Sequence, residues 1–349
     1  MVISRISLLL VLWVVCRSQV KSLTSQFEVN AESSAHQNPA CAPAIRNHII
    51  SHLALLQSDQ DEFMSDELPP FLVPRPPGSS QLSKVRKHIK SNLKALNWTV
   101  EADISKQFTV LGFIRFANII ATQNTAAKKH VVLACHYDSK LFPLGFVGAM
   151  GSAVPCAMLV NLAKKFNPIF QRMNSDTTIQ LVFFDGEEAL LFRSAFDSLY
   201  GSRNLANVWG KKKDPHDSSQ NYLQTVEAFI LLDLIGIKDT HFKRFYKETD
   251  DLYTLAIDFE TCLREMGMTE RPESDPPLFE DQRRQAAIED DHDPFLKKGV
   301  KNIMHLITSP FPSTWHTMKD NIDSMDITVI QDFNKIFSLF VTYVFLNAM

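Results

Sequence analysis

A continuous run of β-branched and apolar residues that ends in carboxylates limits most strongly how this chain can fold. Residues 178–184 form the run, and Asp185, Glu187 and Glu188 follow it almost directly. Because the run shows no helical spacing, it predicts a strand buried on both faces, as in a mostly parallel sheet. Gly186 permits a sharp turn after that strand. The carboxylates therefore stand at the carboxyl end of a buried strand, where open α/β sheets bind their ligands.

Strands and helices alternate along the rest of the chain. The apolar patterns predict further strands at residues 98–110, 118–122, 130–134, 226–233 and 301–307, and helices at 43–56, 80–96, 152–166, 250–266 and 327–345. Residues 271–284 are polar and contain proline, so we predict a surface loop there. The alternation predicts one α/β domain over residues 43–349, a sandwich with a central mixed, mostly parallel β-sheet flanked by helices.

The amino terminus has the features of a secretory signal peptide over residues 1–22. Arg5 supplies a positive charge near the start, and the apolar core at residues 6–15 is too short to span a bilayer comfortably. An uncleaved signal anchor is the alternative interpretation. Residues 23–42 are polar and are predicted to be loosely structured. We therefore expect a secreted protein with a glycan on Asn97, the acceptor in an Asn-Trp-Thr sequon.

Charge and cysteine content limit the partners and the chemistry further. The formal net charge of −3 gives no electrostatic case for nucleic acid or for membrane contact beyond the signal peptide. Without Cys16, four cysteines remain and allow three complete disulfide pairings: Cys41, Cys135, Cys156 and Cys262. The sequence has no Gly-rich phosphate loop and no Gly-x-Ser-x-Gly motif, so nucleotide binding and serine hydrolysis lose support.

Polar residues capable of chemistry lie at the ends of four predicted strands. Besides the two glutamates, the sequence places here His136, Asp138, Asp233, His305 and His316. A single histidine is more often a satisfied core or surface group than a metal ligand. Because the sheet brings these strand ends together, however, the set indicates a joint site. Histidine and carboxylate suit zinc, and a site with three protein ligands keeps one position open for substrate.

Several long motifs resemble those of the glutaminyl-peptide cyclotransferase family, one-zinc relatives of the two-zinc M28 aminopeptidases. The resemblance runs from about residue 43 to the end of the chain. It is carried by residues 134–140 (ACHYDSK), 151–156 (GSAVPC), 183–189 (FFDGEEA), 197–203 (DSLYGSR), 232–236 (LDLIG), 289–292 (EDDH) and 305–318 (HLITSPFPSTWHTM). Family membership implies conversion of an amino-terminal glutamine to pyroglutamate with loss of ammonia. The expected partners are thus peptides or small proteins with an amino-terminal glutamine.

The resemblance also implies a role for individual residues. Glu188 and His316 correspond to zinc ligands and Glu187 to the catalytic acid/base. Asp233 and Asp290 correspond to carboxylates that orient the substrate amine and share its proton. The implied pocket residues are His305, Phe311 and Trp315. A disulfide between Cys135 and Cys156 is implied in the same way, whereas the partners of Cys41 and Cys262 stay open.

Two positions depart from the family pattern. The third zinc ligand of the family is an aspartate immediately before Ser-Ala-Val-Pro-Cys, where this chain has Gly151. A family tryptophan shortly after the glutamate pair falls on Arg193 by ungapped count. No carboxylate can shift into the vacant place from nearby, because residues 139–166 contain no Asp or Glu. We therefore expect one zinc ion, held weakly, and stronger binding in a Gly151→Asp variant.

Three functions remain compatible with the sequence. The first is a monomeric glutaminyl-peptide cyclotransferase, an acyltransferase, whose activity is impaired by Gly151. The second is a non-catalytic homologue that binds peptide amino termini. The third and most distant is a zinc aminopeptidase, which the missing aspartate also disfavours because that residue bridges both metals in such enzymes.

Overall fold

A six-stranded sheet forms the centre of the molecule. The computed structural model describes residues 41–57, 63–172 and 176–347. The predicted signal peptide and nearly all of the predicted loose segment lie outside these ranges. The strands are β1 (Thr99–Thr109), β2 (Gly112–Thr122), β3 (Lys129–His136), β4 (Thr177–Phe184), β5 (Val226–Asp233), β6 (Phe242–Arg244), β7 (Phe279–Arg283) and β8 (Ile303–Ile307).

The strand order brings distant segments of the chain to one edge. The order is β1-β2-β4-β3-β5-β8. Strand β2 runs antiparallel to both β1 and β4, whereas β4, β3, β5 and β8 are parallel to one another. His136 lies opposite Phe184, and Asp233 lies opposite Ile307. The carboxyl ends of four strands therefore meet at the same edge, as the sequence predicts. The predicted mixed, mostly parallel sheet is confirmed.

Helices cover both faces of this sheet. They are α1 (Pro43–Gln57), α2 (Ser80–Ala95), α3 (Val154–Phe170), α4 (Tyr200–Lys211), α5 (Asp250–Glu265), α6 (Asp293–Leu296) and α7 (Ile327–Asn347). One core joins the sheet to α1, α2, α3, α5 and α7, and a smaller core joins the other face to α4 and α6. Side chains alternate along β3 accordingly: Leu133 enters the first core, and Val132 and Ala134 enter the second.

Helix α7 is long and apolar enough to cross a membrane, yet it is a core helix here. Of its most apolar 18-residue window, 72% is buried inside the domain. Phe333, Phe337 and Phe340 pack into the larger core. Burial against the sheet and neighbouring helices accounts for its composition.

Two disulfides join elements of the larger core. Cys135 at the end of β3 is bonded to Cys156 in α3, which confirms the implied pair. Cys41, just before α1, is bonded to Cys262 in α5, across a sequence separation of 221 residues. In the chain-entropy view, closing the shorter loop contributes about 3 kcal/mol and the longer one somewhat more. The second bond ties the start of the described chain to the core.

The prediction of a loop over residues 271–284 is wrong at its end. Residues Phe279–Arg283 form β7, which pairs with β6 in a separate two-stranded sheet. Glu260 of α5 accepts hydrogen bonds from the backbone N–H groups of Leu278 and Phe279 at 2.7 and 2.9 Å. A distant carboxylate thus fixes a segment whose own sequence is too polar to indicate a strand.

Candidate active site

A cavity of about 190 Å³ opens at the carboxyl edge of the sheet. Its lining includes His136, Gly151, Glu187, Glu188, Arg193, Asp233, Asp290, Phe311, Trp315 and His316. Of the predicted site residues, His305 does not line the cavity but is buried directly behind Asp290. The topology therefore assembles nearly the whole predicted set around one space.

The turn after β4 presents the two glutamates to this cavity. Gly186 has a φ of +77°, and a Cβ there would lie 2.5 Å from the Phe116 ring, so only glycine fits. The buried carboxylate of Asp138 accepts hydrogen bonds from the backbone N–H groups of Glu187 and Glu188, at 3.2 Å each. Asp138 therefore positions the glutamate pair rather than facing the cavity itself.

Glu188 lies between two basic groups. His316 Nε2 is 3.3 Å from Glu188 Oε1, and Lys140 Nζ is 3.4 Å from Glu188 Oε2. Burial alone would raise the pKa of Glu188, but the His316 hydrogen bond and the charges of His316 and Lys140 lower it to about 2. Glu188 is therefore a carboxylate at neutral pH, in contact with the other implied zinc ligand.

Glu187 forms a close ion pair with Arg193. Arg193 Nη1 donates to Glu187 Oε1 at 2.6 Å, and Arg193 Nη2 donates to the backbone carbonyl of Glu289 at 2.8 Å. Burial raises the pKa of Glu187, while the charge of Arg193 acts in the opposite direction. The pKa of Arg193 is raised, chiefly by the charge of Glu187. The guanidinium thus spans the cavity mouth between two loops.

Asp233 and Asp290 have opposite pKa shifts. Burial, followed by the charge of Asp290, raises the pKa of Asp233 well above its ordinary value. Burial would also raise the pKa of Asp290, but a 2.8 Å hydrogen bond with His305 Nε2 and nearby positive charges hold it below its ordinary value. The two carboxyl groups therefore differ in proton affinity, as is expected where neighbouring carboxyl groups divide acid and base roles.

Aromatic rings close one side of the cavity. The Phe311 and Trp315 rings lie 4.5 Å apart, and Trp315 stacks on the His316 ring at 4.0 Å. These rings give an apolar surface beside the carboxylates, as expected for a site that receives the aliphatic part of a side chain.

Comparison with known proteins shows the family. The sequence matches peptidase family M28 over residues 118–341. It is 40% identical over 314 residues to the glutaminyl-peptide cyclotransferase of Gloydius blomhoffii, covering 86% of this chain and 85% of the relative. It is 41% identical over 293 residues to that of Bos taurus, covering 80% and 81%. The chain belongs to the glutaminyl-peptide cyclotransferase family.

Solved structures agree with this placement. The glutaminyl cyclase of Macrostomum lignano superposes with a TM-score of 0.77 at 35% identity, covering 87% of this chain and 92% of that one. An Acidobacteriales glutaminyl cyclase gives a TM-score of 0.63 at 25% identity, covering 84% and 94%. The α/β fold and the arrangement of the strands are therefore those of this family of cyclotransferases.

Gly151 leaves room in the cavity wall. A Cβ at Gly151 would lie 3.9 Å from Asp233 Oδ1 and 3.9 Å from Asp320 Oδ2. Asp320 Oδ1 accepts a 2.7 Å hydrogen bond from the Met150 N–H. Burial raises the pKa of Asp320 to about 6, although hydrogen bonds from the backbone oppose the shift. Asp320 is thus committed to the backbone around Gly151, and nothing in the sequence around it indicated that role.

A second group of potential ligands lies behind the cavity. Among the described residues, the ligand atoms of Asp290, His292 and His305 lie within 4.8 Å of one another and could hold a metal ion. His292 and His305 are wholly buried, with ring centroids 4.4 Å apart, and Tyr246 Oη lies 2.6 Å from His292 Nε2. The sequence alone indicates no role for His292 or Tyr246, because these two residues are 46 positions apart in the chain and meet only in the fold.

Proposed function

We propose that this protein converts the amino-terminal glutamine of peptides and small proteins to pyroglutamate, more slowly than the cyclotransferases it resembles. The observation that carries this proposal is the convergence of Glu187, Asp233 and Asp290 on one cavity, with the pKa values of the two aspartates shifted in opposite directions. Such a set can receive an ammonium group and hold or release its proton.

The reaction needs position more than a strong nucleophile. The α-amine of the substrate attacks the γ-carboxamide carbon of the same residue; a C–N bond closes the ring, the bond to the amide nitrogen breaks, and ammonia leaves. Glu187 accepts a proton from the attacking amine and delivers it to the departing nitrogen. The cavity holds the folded conformer, which makes an intramolecular attack effective. Trp315 and Phe311 exclude water beside it.

The residues present do not fit a tight zinc site at the implied position. Glu188 and His316 are in contact, but zinc catalysis generally uses three protein ligands, and the third place is Gly151. Lys140 also contacts the second carboxylate oxygen of Glu188, so a lysine ammonium already neighbours this ligand. We therefore assign no step of the reaction to zinc at this place, although the relatives belong to a zinc-dependent family.

Binding without turnover is the second candidate function. The 2.6 Å ion pair with Arg193 favours it, because this pair occupies one carboxylate oxygen of Glu187, the residue that would accept the proton. In that case the protein would hold peptide amino termini in the same cavity and release them unchanged.

Incubation with a Gln-initiated peptide, with and without added zinc, separates these functions. Ammonia release with a mass loss from the peptide indicates cyclisation, and saturable binding without product indicates the second function. Release of a free amino acid would instead indicate an aminopeptidase and contradict both. Glu187→Gln is the matched variant, since it keeps the shape of the side chain and removes the proton acceptor. Loss of ammonia release in this variant assigns the activity to this site.

In this proposal the protein is secreted, carries a glycan on Asn97, and acts as a monomer. Two disulfides support an oxidising compartment, and the exposed side chain of Asn97 is open to modification. Intact mass before and after glycosidase treatment tests the glycan, and light scattering tests the oligomeric state.

A further inference from the structure

We propose that the guanidinium of Arg193 takes the place of a divalent cation in this cavity, and that the protein binds peptide amino termini without a metal ion. The identity of the ligand rests on the proposed function, whereas the substitution of one cation for another rests on the cavity alone. Gly151 and Arg193 are, on this proposal, two parts of one change.

Several buried carboxylates line the cavity, and their negative charge requires a nearby positive charge. Glu187, Glu188 and Asp290 are 4%, 6% and 2% exposed, and Asp233 lies beside them. An isolated buried carboxylate is expensive unless it is paired with a positive charge or loses its own. Lys140 contacts Glu188, but Lys140 stands within a family motif and is not the new element. Arg193 is the cation that distinguishes this chain from the family pattern.

The two departures from the family pattern each make the cavity more positive by one charge. Glycine at position 151 removes one negative charge relative to the aspartate of the family, and arginine at position 193 adds one positive charge relative to the tryptophan. Together they change the fixed charge of the cavity by the two positive charges that a zinc ion would bring. Either change alone would leave half of that difference uncompensated.

The geometry of Arg193 suits a fixed counter-ion. Its two nitrogens donate to Glu187 at 2.6 Å and to the Glu289 carbonyl at 2.8 Å, so the guanidinium is held from both sides of the cavity mouth. A planar, permanently charged fork held in this way keeps its position as a bound ion would. The Glu289 contact also connects the glutamate turn to the residue preceding Asp290.

The space at Gly151 explains why an aspartate would not be retained beside this arginine. The Cβ of an aspartate at position 151 would lie 3.9 Å from one oxygen of Asp233 and 3.9 Å from one oxygen of Asp320, so its carboxylate would lie close to both. Arg193 pairs with Glu187 and the carbonyl of Glu289, and no contact links it to Asp233 or Asp320. Without a metal ion, the added carboxylate would stand beside two further carboxyl groups, and Arg193 would not pair with it.

A double-variant cycle tests the proposal. Thermal midpoints of the wild type, Gly151→Asp, Arg193→Trp and the double variant are measured in EDTA and in excess zinc chloride, and zinc affinity is measured by calorimetry. We expect the same wild-type midpoint in both solutions. We expect the double variant to have the lowest midpoint in EDTA, the largest recovery with zinc, and a zinc affinity at least roughly 10–100-fold above wild type.

Two further variants separate charge from structure. Arg193→Lys keeps the charge and should remain indifferent to zinc, while Arg172→Gln, an exposed arginine that does not line the cavity, should behave as wild type in every measurement. A wild-type midpoint that falls in EDTA would overturn the proposal. So would a double variant that zinc does not rescue, since Arg193 would then matter only for local packing. Stoichiometric zinc in the wild type that disappears in His292→Ala would place an ion behind the cavity, and would also overturn it.

The ligand is tested separately on the wild type with a Gln-initiated peptide. We expect the same Kd in EDTA and in zinc. Binding that requires zinc would refute the metal-free site while leaving the proposed function intact. Absence of peptide binding in both solutions would refute the proposed function, and the thermal cycle would still decide the role of Arg193.

Discussion

The two walls of the cavity differ in how closely they follow the pattern that the family resemblance implies. The wall built from β5 and the loop before α6 carries Asp233 and Asp290, which the resemblance matches to family carboxylates, and His305 of β8 supports Asp290 from behind through a hydrogen bond. The wall built from the β4 turn and the loop before α3 carries both departures, Gly151 and Arg193. The comparison indicates that one wall of the cavity binds the proton of the reaction and that the other wall carries the positive charge. The first depends on Asp233 and on the Asp290 carboxylate that His305 supports from behind, and the second on the groups around Glu187 and Gly151.

The largest expected effect is on the free energy of unfolding, through Asp290. Asp290→Ala removes the partner of His305, whose side chain is wholly buried, and leaves an unpaired polar ring in the interior. We expect a loss of about 3–5 kcal/mol in the free energy of unfolding, measured by urea titration. Asp176→Ala, an aspartate whose side chain is 72% exposed and pairs with Lys128 at the surface, is the control and should cost less than about 1 kcal/mol. Equal losses would show that Asp290 is not specially embedded.

Restoring the altered wall and saturating it with zinc should raise the activity. The Gly151→Asp/Arg193→Trp double variant, saturated with zinc, should release ammonia from a Gln-initiated peptide at least roughly 10–100-fold faster than the wild type, since it regains a tethered ligand and frees Glu187. Ammonia is followed in a coupled assay. The two single variants are the controls and should each give less than the double. A wild type already as fast as the double would contradict the distinction between the walls.

Acid should weaken the protein through Glu188. Its folded pKa of about 2 lies below its ordinary value of 4.5, so its contribution is complete above pH 4.5 and is lost as the pH falls toward 2. We expect Glu188→Gln to reduce the pH dependence of unfolding in this window by on the order of 1–3 kcal/mol. Glu227→Gln serves as the control, because the side chain of Glu227 in β5 is about half exposed. Parallel curves for wild type and Glu188→Gln would rule out the shift.

The smallest effect is expected from Lys140. The Lys140 Nζ to Glu188 Oε2 distance is 3.4 Å, and Glu188 keeps His316 as a second partner when the lysine is replaced. Lys140→Gln should lower the free energy of unfolding by less than about 1 kcal/mol. Chemical denaturation at low and high salt measures this, and the difference from wild type should shrink with salt. A larger loss would mean that Lys140, rather than Arg193, is the principal counter-ion of this wall.

Local pattern was enough to predict the sheet and the place of the site. The run before Asp185 and the strand ending at Asp233 are buried parallel strands, because burial on both faces leaves a continuous apolar signal in the sequence. That topology alone brings Glu188 near His316, which are distant in sequence.

The remaining features depend on contacts that no local pattern records. The bond between Cys41 and Cys262 follows from the packing of α1 against α5. The reach of Arg193 across to Glu289 is set by side-chain conformation. Likewise His305 faces inward because β8 alternates, and Asp290 comes to it from a separate loop.

The inward-facing pair of Asp290 and His305 has a consequence for descent. In a lineage that lost turnover, selection on groups that act only on the substrate would relax, while a pair that also holds the interior together would stay under selection for folding. We therefore expect the ancestral signature to persist longest at Asp290 and His305. We expect divergence in activity to begin at cavity-lining positions such as 151 and 193.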